Sequence, residues 1–160
     1  MDAADLARFI EQREIDADII FLDDKTPTVE AAAEAVGVTP AQIVKSVLFV
    51  IKEDDEQFRP LLVVANGLSR IAYKKLADYL DVSRRRLRMA RPAQVKKFTG
   101  YAVGTVPPFG HKEALPTLLE ERVMAQREIY AGGGAINALM RLTVAELQSV
   151  IGADVAALAQ

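Results

Sequence analysis

Two stretches of this chain constrain its fold more than any others. Ile43 to Lys52 is rich in Val, Ile, Leu and Phe, and Pro60 to Ala65 is apolar at every position. Acid-rich Glu53 to Glu56 lies between them and marks a turn. Successive residues of a strand point to opposite faces, so a half-buried strand alternates apolar and polar residues. These two do not alternate, and a strand apolar on both faces needs cover on both. Lys45, Val47, Phe49 and Ile51 share one face of the first strand; Val44, Ser46, Leu48 and Val50 share the other. That strand is predicted to be central in its sheet.

The flanking segments supply the cover. Ala3 to Arg13 has Leu6, Phe9, Ile10 and Arg13 near one face of a helix. Ile19 to Leu22 is a short strand, ended by a turn at Asp23 and Asp24. Thr26 is the expected N-cap of the next helix, with Pro27 in its first turn, Val29, Ala32, Ala33 and Val36 inward and Gly37 at its end. Thr39-Pro40-Ala41-Gln42 is a capping box, as is Thr143-Val144-Ala145-Glu146, which opens a helix through Ile151. Further helices are expected over Ile71 to Leu80 and from Pro92 to Gly100, and strands over Arg86 to Met89, Glu121 to Tyr130 and Ala138 to Leu142. Gly132-Gly133-Gly134 is a tight turn, and Ala102 to Lys112, with two glycines and two prolines, is an irregular loop. No regular βαβ alternation appears. The class is α+β, with a mixed, partly barrel-like sheet ringed by helices.

The chain has 160 residues, the length of one domain, and no linker or repeat divides residues 1–160. A 51% hydrophobic content excludes a disordered chain. No apolar run approaches the roughly 18 residues of a membrane span, and the acidic start is unlike a secretory signal. A cytoplasmic protein is expected. Cysteine is absent, which removes disulfides, thiol nucleophiles and thiolate metal sites. With His111 as the sole histidine, zinc has few ligands to use, so no metal or other cofactor is expected.

The net charge of -2 hides a segregation: residues 1–58 carry -9, residues 59–97 carry +9 and residues 98–160 carry -2. The middle block includes Arg70, Lys74, Lys75, Arg84, Arg85, Arg86, Arg88, Arg91, Lys96 and Lys97. Such a stripe is either a footprint for a phosphate backbone or a solvated face balanced by acids from elsewhere in the fold.

Three places can carry chemistry. Lys45, on a mostly apolar strand, either snorkels to water at the sheet's end or lies in a pocket where its ammonium can hold an anion or polarise a carbonyl. The loop from Gly104 to Gly110 is either an ordinary turn or a stiffened loop that aims N–H groups at an oxyanion. His111 is a base, a substrate contact or a solvated loop residue. The glycine turn at 132–134 lacks the Lys-Ser/Thr of a phosphate-binding loop. No Gly-x-Ser-x-Gly elbow is present.

Three segments then fall in the order and spacing of a known family. They are Val38 to Val50 with Lys45 inside, Gly100-Tyr101-Ala102-Val103-Gly104-Thr105-Val106-Pro107-Pro108-Phe109-Gly110-His111, and Ile129 to Gly134 running on to Thr143-x-x-Glu146-Leu147. Over roughly residues 25–155 the chain resembles the YbaK/EbsC superfamily, the prolyl-tRNA synthetase-associated editing domains. The resemblance implies a metal-free hydrolase of mischarged aminoacyl-tRNA, with mischarged tRNA for proline as substrate and prolyl-tRNA synthetase as a partner. It gives Lys45 and Gly104 the catalytic roles, the lysine holding the tRNA 3′ end or aminoacyl group and the glycine backbone facing the ester carbonyl. Thr105, Pro107, Gly110, His111, Gly133 and Asn137 are the substrate-binding candidates, and Arg84, Arg85, Arg86 and Arg88 the tRNA-binding ones. One departure is visible. Leu139 stands where the cysteinyl-tRNA deacylases carry Asp, and Asn137 is the nearest polar side chain.

The expected mechanism uses no protein nucleophile. An activated ester needs a positioned water and an oxyanion site, with the terminal ribose hydroxyl as a proton relay. A non-catalytic RNA- or DNA-binding module, or a synthetase-associated one, is the alternative that the basic block supports equally. A hydrolase of small aminoacyl esters without tRNA is another.

Overall fold

The structure, a computed structural model, describes residues 1–23 and 28–160. Along the chain these form α1 (Ala3–Gln12), β1 (Ala17–Phe21), α2 (Val29–Val36), β2 (Val44–Lys52), β3 (Phe58–Asn66), α3 (Tyr73–Leu80), β4 (Leu87–Met89), α4 (Pro92–Thr99), β5 (Thr117–Glu120), β6 (Glu128–Gly132), β7 (Ala138–Thr143), α5 (Val144–Ile151) and β8 (Asp154–Ala156). Single 3-10 turns at Pro40–Gln42, Arg84–Arg86 and Glu121–Ala125 join them.

β2 and β3 are the antiparallel pair that the apolar runs predict, in register from Val44 opposite Asn66 to Lys52 opposite Phe58. They sit inside a five-stranded sheet, β4-β2-β3-β5-β8, in which β3–β5 and β5–β8 are parallel. A second, antiparallel sheet runs β1-β7-β6. The class is therefore α+β with a mixed sheet. The strands divide into two sheets touching through one parallel bridge, Ile43 to Tyr130, and the described residues form no closed barrel.

Both faces of the central pair are covered. Phe49, Ile51, Leu61, Val63 and Ala65 pack with Leu76 and Ala77 of α3. Phe49 is fully buried and meets the Tyr73 ring edge-on, with centroids 5.5 Å apart. The opposite face, Val44, Leu48, Leu62 and Val64, packs against the second sheet, through Ile129, Met140 and Leu142, and against Leu6, Val95 and Leu147 of three helices. Each such side chain contributes about 1.5–3 kcal/mol of transfer free energy, so this double layer fixes the register of β2 firmly. Pro60 is tolerated because β5 pairs only with Leu62 to Val64, leaving Pro60 beyond that neighbour.

Several local expectations need correction. Thr28, not Thr26, caps α2, its Oγ1 accepting from Ala31 N at 3.0 Å; Thr26 and Pro27 lie outside the described residues. Thr39 and Gln42 form their capping box over one 3-10 turn rather than a helix. Glu121–Ala125 is not strand, because the buried Glu120 carboxylate accepts from Glu121 N (2.7 Å) and Arg122 N (3.1 Å) and turns the chain. Gly132 ends β6, and the turn follows it. β5 and β8 carry no sequence signal, being three or four residues long and ordered by parallel pairing with β3 and with each other.

Candidate functional site

β3 pairs with the whole of β2, but β4, on its other side, pairs only with Phe49 to Ile51, so among the described residues no strand of that sheet covers this second side along the first half of β2. Around this open edge gather the first turn of α2, the loop after Tyr101 and the turn between β6 and β7. They enclose a cleft of about 220 Å³ lined by Thr28, Val29, Ala32, Ile43, Val44, Lys45, Ser46, Gly104, Val106, Gly132, Ile136, Ala138 and Leu139. Ligand pockets for larger molecules run roughly 300–1,000 Å³. This one fits a small group.

Lys45 is partly buried and its Nζ donates to Ser69 O at 2.7 Å. Burial, and then the like charge of Arg70, hold its pKa below the usual lysine range. Among the described residues it is the only acidic or basic side chain in the lining. Thr28 Oγ1 is committed to its cap. Ser46 Oγ is buried and has no hydrogen-bond partner among the described residues. The sequence marks Ser46 only as a lone hydroxyl on an apolar strand face, and it gives no sign of the apolar wall formed by Val29, Ala32, Ile136 and Leu139.

The glycine loop faces Lys45 across the same cleft. Gly104 has φ +87°, where an L side chain is strained, and a Cβ there would meet nothing within 4 Å. Among the described residues nothing accepts from its amide. The loop is braced from within. Thr105 N and Oγ1 both donate to Ala102 O, at 3.1 and 2.8 Å; His111 Nε2 donates to Pro107 O at 2.7 Å; and Tyr101, fully buried, donates its hydroxyl to Gly110 O at 3.2 Å. Burial pushes the Tyr101 phenol up to about 12. Gly134 N reaches Thr105 O at 3.0 Å, and a Cβ on Gly132 would run into the Val106 carbonyl. The third glycine segment thus seats the loop.

The remaining candidates are dispersed. Thr105, Pro107 and Gly133 hold the loop and its neighbouring turn without lining the cleft. Asn137 Nδ2 donates to Leu22 O at 3.2 Å and ties that turn to the end of β1. Gly110 and His111 line a different cleft, of about 340 Å³, beside Phe9, Arg13 and Ile151. Burial holds the His111 pKa below 6.5, against the Pro107 bond that raises it.

The basic block is partly neutralised. Arg86 pairs with Glu53 at 2.8 Å and donates to Lys52 O, Arg59 pairs with the same carboxylate at 2.6 Å, and Arg84 lies over the Tyr73 ring at 4.3 Å. Arg85 and Arg88 are exposed. Arg88 is opposite Val50, five residues along β2 from Lys45, so about 17 Å from the cleft at ~3.4 Å per residue. Among the described residues no group of three His, Cys, Asp or Glu is placed to hold a metal ion, and no helix is long and apolar enough to cross a membrane.

Known proteins share this sequence pattern and fold. Residues 23–150 match the family of aminoacyl-tRNA editing domains. A proline–tRNA ligase of Limosilactobacillus fermentum is 30% identical over 105 residues, 66% of this chain but 18% of the ligase, so the chain spans under a fifth of that relative. The uncharacterized protein YwhH of Bacillus subtilis is 30% identical over 130 residues, covering 81% of this chain and 78% of YwhH. A solved structure of a candidate trans-editing enzyme for prolyl tRNA synthetase superposes with a TM-score of 0.89 at 34% identity, over 99% of this chain and 96% of that one. The hypothetical protein APE2540 gives 0.86 at 26% identity, over 98% and 99%.

Proposed function

The chain belongs to the family of aminoacyl-tRNA editing domains, and on that premise we propose that it hydrolyses the ester of mischarged aminoacyl-tRNA, with tRNA for proline as the nucleic acid. The observation that carries this reading is the meeting of Lys45 and Gly104, distant in sequence, at one small cleft. Its volume suits an aminoacyl group alone, leaving the nucleotides outside. Among the described residues its apolar wall of Val29, Ala32, Ile136 and Leu139 offers no partner to a charged amino-acid side chain, which favours a small uncharged one. The proline–tRNA ligase and trans-editing relatives support the choice of tRNA.

The chemistry asks little of the protein. Water oxygen bonds to the ester carbonyl carbon, the bond from that carbon to the ribose oxygen breaks, and the ribose oxygen receives a proton. The Lys45 ammonium holds the substrate in place, and the Gly104 amide stabilises the negative charge that develops on the carbonyl oxygen. The neighbouring ribose hydroxyl relays the proton, and the exposed arginines of the basic block hold the acceptor stem. The test is Lys45→Ala. Removing one positioning group costs about 100-fold in rate, so release of alanine from alanyl-tRNA for proline should fall by that order while the protein stays folded. An unchanged rate would sink the assignment of the site.

A further inference from the structure

We propose that Arg122 and Glu120 are positioning residues for Lys45, acting through the Ser69 carbonyl. The inference rests on the reading that Lys45 holds the substrate. A lysine ammonium on its four-carbon stem has many rotamers, and among the described residues one hydrogen bond holds it: Nζ donates to Ser69 O at 2.7 Å. The placement of Lys45 is therefore the placement of that carbonyl.

Ser69 is buried and is held from two sides. On the near side Ser69 N donates to Asn66 O at 3.0 Å, and Gly67 N to Ile43 O at 2.7 Å. On the far side Arg122 Nη1 donates to Ser69 Oγ at 3.3 Å and Nη2 to Gln160 O at 3.3 Å. Residues 158–160 form a strap over the same loop. Gln160 N donates to Arg70 O and Ala72 N to Leu158 O, each at 2.8 Å. The strap is pinned by Glu120, fully buried, which accepts from Leu158 N at 3.0 Å as well as from Arg122 N. Its Oε1 lies 4.0 Å from Arg122 Nε. One carboxylate thus orders both the arginine and the strap, and these bound the loop that presents the carbonyl to Lys45.

Arg122 is the residue to change, since its side chain is 54% exposed, its Nε is a full 4.0 Å from the Glu120 carboxylate, and three backbone N–H donors still satisfy that carboxylate without it. Glu120, buried with three N–H donors, is a poorer choice because its loss threatens the fold. Steady-state deacylation of mischarged tRNA is measured for the wild type, Arg122→Ala, Arg122→Lys, Lys45→Ala and the Lys45→Ala/Arg122→Ala pair, with melting temperatures alongside. A shift of about 1 Å at the reacting centre costs up to ~100-fold, and loosening one of several anchors should cost about tenfold. The expected result is a kcat lowered by that amount for Arg122→Ala, with KM and melting temperature near wild type. Arg122→Lys, which keeps a donor for Ser69, recovers most of the loss. In the Lys45→Ala background Arg122→Ala adds nothing, because both changes act through one hydrogen bond. A wild-type kcat in Arg122→Ala beside a slow Lys45→Ala overturns the relay alone, as does a loss that persists in the Lys45→Ala background. A Lys45→Ala protein as fast as wild type overturns the functional reading and the relay with it.

Discussion

At the scale of single residues, backbone conformation and burial decide most. Gly104 needs its glycine for φ, not for space. Left-handed backbone costs an L residue about 1–2 kcal/mol, so Gly104→Ala should lower the urea unfolding free energy by that amount. It should lower deacylation by more than this loss of folded protein explains, because a methyl group then stands beside the amide proposed to face the ester. Equal losses in stability and rate would deny the amide its role. His111 makes a second prediction. Its folded pKa lies below the unfolded 6.5 through burial, so the unfolded state binds the extra proton. The stability it allows is complete above pH 6.5 and declines as pH falls towards its folded pKa. As the chain's only histidine, it should account for most of the fall in urea midpoint between pH 7.5 and 5.5, and His111→Gln should flatten that fall. Retention of the full slope in the variant would place its origin in other groups.

At the scale of elements, the cleft exists because β4 stops short and the loop after Tyr101 rests on β6. Gly132→Ala puts a Cβ against the Val106 carbonyl. Overpacking of this kind costs about 1–3 kcal/mol, and here it pushes on the loop carrying Gly104, so melting temperature and deacylation should fall together. A variant with wild-type rate and stability would show that the loop is not seated there. The caps are worth less. Thr143 Oγ1 accepts from Glu146 N at 3.1 Å, and Thr143→Ala should lower stability by ~1 kcal/mol with kcat unchanged. The β2–β3 hairpin and the Thr143 cap are legible in the sequence because each depends on local spacing or on apolar periodicity, whereas the residues alone leave Lys45 and Gly104 open between bland and functional readings and only the family resemblance pairs them. β5 and β8 are hidden because parallel pairing with distant partners, not their own pattern, makes them strands. The Glu121–Ala125 turn is hidden because a single buried carboxylate, Glu120, overrides a strand-like sequence. Gly110 and His111 sit next to the glycine motif in sequence yet face another cleft, since the loop folds back through the Tyr101 and Pro107 hydrogen bonds. Ser46 and the apolar wall become a site only once the two sheets are brought together.

At the scale of the whole molecule, charge is segregated along the chain, and the fold sharpens what that means. Arg59 and Arg86 spend their charge on Glu53, leaving Arg88 on the edge strand β4, and Arg85 in the turn just before it, as exposed cations. Removing one arginine–phosphate interaction reduces the slope of binding against salt by about 0.7–0.9. Replacing Arg85 and Arg88 by Glu should therefore raise KM for tRNA several-fold, flatten its salt dependence and leave kcat near wild type. An unaltered KM would mean that the acceptor stem lies on another face. Turnover of substrate, as against mere retention of RNA, is decided by supplying mischarged tRNA for proline in large excess over the wild-type protein and following free amino acid. Many equivalents should be released per protein, with uncharged tRNA as the other product. Binding without release, or release that stops at one equivalent, would mean that the protein is a non-catalytic RNA-binding module.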